Sequence, residues 1–125
     1  MFVGVLRLRL HIPGARSLKD KRSVVRSLKE RAQSRLKVSI AEVAMLDHPQ
    51  HAVLGAAVVS NSSAVCDEVL ASLASMASTL PDAVLADRAT EIVPFGEGGM
   101  GVRGGIEHAL DGDAAGADWD EEETP

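Results

Sequence analysis

Residues Phe2-Val-Gly-Val-Leu-Arg-Leu-Arg-Leu10, then His11-Ile-Pro-Gly-Ala-Arg-Ser17, then the run from Leu18 to Leu36 decide the fold. The first stretch alternates. Phe2, Gly4, Leu6, Leu8 and Leu10 fall on one face and Val3, Val5, Arg7 and Arg9 on the other, the two-residue period of a strand covered on one side. Pro13-Gly14 signals a turn, and Ser17 stands where a helix needs an N-cap. Beyond it Leu18, Val24, Val25, Leu28, Ala32 and Leu36 recur at helical spacing within an arc of about 120°. A half-covered strand feeding an amphipathic helix implies a sheet with helices packed on it.

Working outward, Val38–Leu46 and Ala52–Ser60 are two more β-like runs, expected to pair antiparallel across Asp47-His-Pro-Gln-His51. Asn61-Ser62-Ser63 offers caps for a second helix, with Asp67 and Glu68 favouring its N-terminus. Val65, Val69, Leu73, Met76 and Leu80 form its apolar stripe, and it ends before Pro81. Val84–Val93 reads as a last strand closed by Pro94. The order βαββαβ predicts an α+β, ferredoxin-like domain over residues 1–95. Its four-stranded antiparallel sheet carries both helices on one face, with strands one and three as central neighbours. Residues 96–125 hold eight glycines, dense acids and no sustained period, the pattern of a disordered acidic tail with a transient helix near Gly105–Leu110.

A chain of 125 residues has room for one such domain. Its only aromatics are Phe2, Phe95 and Trp119, so the core is aliphatic and the stacking platforms used to read bases are missing. Cys66 is the sole cysteine and excludes an internal disulfide; beside an apolar helical stripe it reads as a core residue. Arg7 and Arg9 interrupt the first apolar run, so no secretory leader is expected, and no uncharged run approaches the roughly 18 residues of a membrane span. A soluble cytoplasmic protein with no membrane contact is the expectation. The net charge of −5 is divided sharply: residues 1–95 hold 12 Lys and Arg against 9 Asp and Glu, and residues 96–125 hold Arg103 against 9 acids. Met1–Lys37 alone holds 11 basic residues against Asp20 and Glu30.

The segments Met1-Phe-Val-Gly-Val-Leu6, His11-Ile-Pro-Gly-Ala-Arg-Ser-Leu-Lys-Asp-Lys-Arg22, Val38-Ser-Ile-Ala-Glu-Val43 and Ala56-Ala-Val-Val-Ser-Asn61 resemble the bacterial YlxP-like family, domain-of-unknown-function family 503. The resemblance covers residues 1–95, and Ser17-Leu-Lys-Asp-Lys-Arg22 is its most specific part. It implies a ferredoxin-like fold and a gene neighbourhood shared with translation and ribosome-maturation factors, and no known catalytic residues. Relatives typically carry an Asp-Leu-Trp-Gln-Arg-like run where this chain has Asp47-His-Pro-Gln-His51, so the aromatic and the arginine are missing here.

On the first helix Lys19, Arg22, Arg26 and Lys29 follow spacings of 3, 4 and 3 and line a cationic ridge opposite the apolar stripe. Asp20 and Glu30 are too few to neutralise it. Lys21 falls near the centre of the apolar arc, where its long side chain is expected to reach past the sheet edge into a site. The topology gathers His11, Arg16, Ser17, Lys19, Lys21, Asp47, His48 and His51 at one sheet end beside the helix N-terminus, a setting suited to phosphate.

The expected anion-binding set is therefore Arg16, Ser17, Lys19, Lys21, Arg22, Arg26 and Lys29. RNA or a ribosomal subunit is the expected partner, held through its backbone or shape because aromatics are lacking. His48-x-x-His51 with Asp47 and His11 makes a competing metal or small-molecule reading, weakly specific because loop histidines are usually plain turn residues. An uncovered sheet face with Val3 and Val5 invites a homodimer or another protein. No paired carboxylates, nucleophile-base arrangement or phosphate-cradling glycine loop appears in residues 1–95, so a non-enzymatic protein without cofactor is expected. Trp119 amid Asp118, Asp120 and Glu121–Glu123 reads as a solubilising tail or a docking motif; the tail could also screen the ridge.

Overall fold

The computed structural model describes residues 1–96. The order is β1 (Phe2–His11), α1 (Leu18–Leu36), β2 (Ser39–Ala44), β3 (His51–Ser60), α2 (Ser63–Ser78) and β4 (Val84–Pro94). The strands form one sheet in the order β2-β3-β1-β4, the ferredoxin-like arrangement that the alternation and helical spacings predict. β1 pairs antiparallel with β3 along its whole length, from Phe2 opposite Ser60 to His11 opposite His51. β2 pairs with the other edge of β3, with an irregularity between Glu42 and Ala44.

Phe2–Val93 makes one compact unit. Met1 groups with the chain from Pro94, where the Phe95 N–H donates to the Met1 carbonyl at 2.8 Å. The expectations for the tail (disorder, a transient helix, Trp119 as a docking motif, screening of the ridge) fall on residues outside those described. Among the described residues no helix is long and apolar enough to cross a membrane.

The core lies between one sheet face and the helices. Leu6, Leu8 and Leu10 of β1 and Ala52, Leu54 and Ala56 of β3 meet Val25, Leu28 and Ala32 of α1 and Leu70, Leu73, Ala74 and Ala77 of α2. Each fully buried leucine contributes about 1.5–3 kcal/mol relative to exposure, which is what holds an aromatic-poor core together. Gly4 has a specific reason to be glycine: a Cβ there would stand 2.8 Å from Leu70 Cδ1 and 3.1 Å from Cys66 Cβ, so its absence lets α2 sit low on β1.

Two local readings are corrected. The buried stripe of α2 runs through Cys66, Leu70, Leu73, Ala74 and Ala77, while Val65 is exposed and Val69 and Met76 are half-buried. Leu73 and Leu80 of the expected stripe are buried; the small residues Cys66, Ala74 and Ala77 share that face because the helix packs close, which leaves Val69 and Met76 at the margin of the core and Val65 outside it. Asp67 and Glu68 lie beyond the first turn of α2, which carries no acid; Ser62 caps it by accepting the Val65 N–H at 3.3 Å. In α1, Ser17 accepts the Asp20 N–H at 3.2 Å as expected of an N-cap, and Lys37 closes the helix in a left-handed conformation at φ 56°.

Candidate functional site

The register of β1 on β3 sets the site. Because His11 faces His51, the connection from β1 to α1 and the connection from β2 to β3 emerge at the same sheet end. Gln50 ties them together. Its carbonyl accepts the Ile12 N–H at 2.8 Å, and its side-chain nitrogen donates to the Pro13 and Ala15 carbonyls at 3.3 and 3.2 Å. Within the second connection Met45 adopts φ 58°, a left-handed conformation unusual for its residue type, and its carbonyl accepts the His48 N–H at 3.0 Å.

Lys21 is placed differently from the reading that made it an anion ligand. It is completely buried, the only charged residue in the core among the described residues. Its Nζ donates to the carbonyls of Met45, Leu46 and His51 at 3.0, 3.2 and 3.1 Å and stands 2.8 Å from Glu42 Oε2. Three protons meet three carbonyls, and the carboxylate balances the charge at an angle outside hydrogen-bond geometry. The side chain reaches the β2–β3 connection, as its length allows, and is used up there as scaffold. Neither Glu42 nor the three carbonyls were singled out in the sequence; a lysine inside an apolar arc is the signal that buried acceptors must exist.

The remaining cations of α1 face outward. Arg16, Lys19, Arg22 and Arg26 are exposed and Lys29 is half-exposed. None of them has an ion-pair partner among the described residues. Asp20 is occupied locally, accepting the Arg16 N–H at 2.9 Å, and Glu42 is held by Lys21. Ser17 serves as the cap. A shallow groove of about 250 Å³ runs between α1 and β2, lined by Arg22, Val25, Arg26, Lys29 and Glu42. A larger cleft of about 410 Å³ lies between the Ile12–Ala15 loop and the Pro81–Val84 segment. Asp20 and Asp82 line it, which makes it unsuited to anions.

The histidines come together as a stack of rings. His11 and His51 stack with ring centroids 4.6 Å apart and planes 15° from parallel, and His48 meets His51 edge-on at 4.6 Å. Ring lone pairs lie in the ring planes, so stacked imidazoles do not converge on one ion. Among the described residues no group of three or more histidines, cysteines or carboxylates is arranged to hold a metal. Asp47 is exposed in the adjoining loop. Burial of the ring, then the nearby His48, His11 and Arg9, hold the His51 pKa below its usual 6.5. Cys66 is fully buried, with its Sγ 3.8 Å from the Phe2 carbonyl, as a core thiol should be.

Compared with known families, residues 3–90 match the family described as Protein of unknown function (DUF503). No curated protein matches the chain.

Proposed function

We propose that this chain, which belongs to the DUF503 family, is a non-enzymatic cytoplasmic binding protein that associates with RNA, on a ribosomal subunit or its precursor, through the outer face of α1. The observation that carries this reading is the row Lys19, Arg22, Arg26 and Lys29 with Arg16 beside it, outward-facing and without ion-pair partners among the described residues. At 1.5 Å rise per residue the four helix cations extend over about 15 Å, a span that meets several successive phosphates and not one. Apart from His11 and His51 at one end, the uncovered sheet face presents valines, alanines and arginines among the described residues, with no Phe, Tyr or Trp platform along the central strands to read splayed bases, so the reading is one of backbone and shape.

The test is co-sedimentation with ribosomal subunits over a salt series. Binding should weaken as salt rises, and each phosphate contact removed should reduce the log-log slope by about 0.7–0.9. Lys19, Arg22 and Arg26 changed together to Glu should abolish it. Binding that is indifferent to those changes would overturn the reading.

A second reading concerns the sheet face itself. Val5, Val43 and Val59 are 43%, 55% and 59% exposed on it, and such surface favours a second copy of this chain. Equilibrium sedimentation of the native chain and of Val59→Glu checks it: a dimer dispersed by the substitution supports it, and a monomeric native chain removes it.

A further inference from the structure

The ridge on α1 is not the only unbalanced positive charge. Arg7, Arg9 and His11 alternate with the buried leucines of β1 and so share the sheet face that the helices leave open, and the register sets His51 directly across from His11. Arg7 has an acid, Asp87, at 3.8 Å; Arg9 has no ion-pair partner among the described residues. Around Arg9 and His11 the other charged and titratable groups are accounted for. His48 and exposed Asp47 come from the β2–β3 connection, His51 from β3, and Lys21 with Glu42 form a closed pair behind the His51 carbonyl.

The proton positions are constrained. His48 Nδ1 accepts the Gln50 N–H at 3.1 Å, which leaves Nε2 to carry that ring's proton. His51 Nδ1 is buried and has no hydrogen-bond partner. A proton there would be an unsatisfied buried donor, so this ring too keeps its hydrogen on Nε2. The loop bearing His48 is fixed by Gln50 and Lys21, so these donors are held in place before any ligand arrives.

We propose that Arg9, His11, His48 and His51 form a second anion site, selective for a phosphomonoester. A guanidinium fork and imidazole N–H groups match the three oxygens of a terminal phosphate, and that group carries about 1.5–2 negative charges near neutral pH, more than a phosphodiester. Nδ1 cannot take a proton without losing the Gln50 bond in His48 or stranding a buried donor in His51, so the rings act as neutral Nε2–H donors, Arg9 supplies the positive charge, and binding weakens as the phosphate itself loses charge from pH 7.5 towards 6. The site is independent of the α1 ridge.

The experiment follows the histidine ring resonances of the full-length chain by NMR, with inorganic phosphate as probe at pH 7.5 and 6.0. Phosphate should shift the His11, His48 and His51 rings and bind more weakly at pH 6.0, where it carries less charge. Arg9→Gln, at an exposed position, should weaken binding about tenfold, the loss of one charged hydrogen-bonding group, while Arg26→Gln on the ridge leaves it unchanged. Ring resonances unmoved by saturating phosphate would overturn the proposal, as would Arg9→Gln binding with native affinity. Two further ligands identify the source: a nucleoside 5′-monophosphate, and an oligoribonucleotide with and without its 5′-phosphate. Binding of the mononucleotide alone assigns a free phosphate ester, and binding that requires the 5′-phosphate assigns an RNA end. Equal binding of the two oligoribonucleotides, with none of the mononucleotide, rules out monoester selection.

Discussion

Lys21 and Arg22 are neighbours on one helix, both cationic, and the structure gives them opposite tasks. The angular step of about 100° per residue turns Lys21 inward against the β2–β3 connection and leaves Arg22 on the outer ridge. Inside, the charge meets three carbonyls and Glu42; outside, Arg22, Arg26 and Lys19 meet water. A cation's role in this domain is set by the acceptors within its reach, and counting basic residues along the sequence merges two populations that behave differently.

The largest expected effect tests the inner member. Lys21→Met removes three hydrogen bonds and strands Glu42, so it should cost about 3–5 kcal/mol in urea unfolding. Lys21→Met with Glu42→Gln should recover part of that loss, because the stranded charge is gone; no recovery would mean that the carbonyl contacts alone matter. Next comes the start of the helix that carries both cations: Ser17→Ala removes the cap on the Asp20 N–H and should cost about 1 kcal/mol by the same measurement.

A smaller effect appears with pH. The folded pKa of His51 lies below its unfolded value of about 6.5, so the unfolded chain binds this proton more readily. The corresponding stability is therefore complete above pH 6.5 and is lost as pH falls through the unfolded value towards the lower folded one. Urea midpoints at pH 7.5, 6.5 and 5.5 should decline in that order, and His51→Asn should flatten the decline. The smallest effect belongs to the outer members. Arg22→Gln and Arg26→Gln should change stability by less than about 0.5 kcal/mol, since neither has an ion-pair partner among the described residues, while weakening RNA association. A large stability loss there would erase the distinction between the two faces of α1.

The elements and their order are legible in the chain because alternation in Phe2–Leu10 and helical spacing in Leu18–Leu36 are local patterns. The outer ridge is legible for the same reason, since only helix geometry is needed to align Lys19, Arg22, Arg26 and Lys29. The inward angle of Lys21 is legible too, but not the destination of its ammonium. Its acceptors at Met45, Leu46 and His51 lie 24 to 30 residues away and become visible only when β3 is set in register on β1. The buried face of α2 is misjudged from sequence because Cys66, Ala74 and Ala77 weigh little in an apolar pattern yet permit the close approach that Gly4 also allows. The histidines are correctly gathered at one sheet end, but their stacking depends on side-chain orientations that spacing does not encode.

The enclosure of Lys21 also has a practical consequence for chemical labelling. The chain has four lysines, Lys19, Lys21, Lys29 and Lys37, and only Lys21 lacks contact with solvent. Reductive methylation of the native protein should therefore tag the other three and spare it. Two of those three lie on the α1 ridge, so their methyl signals would report ligand arrival there, and a fourth lysine signal would report the opening of the loop platform.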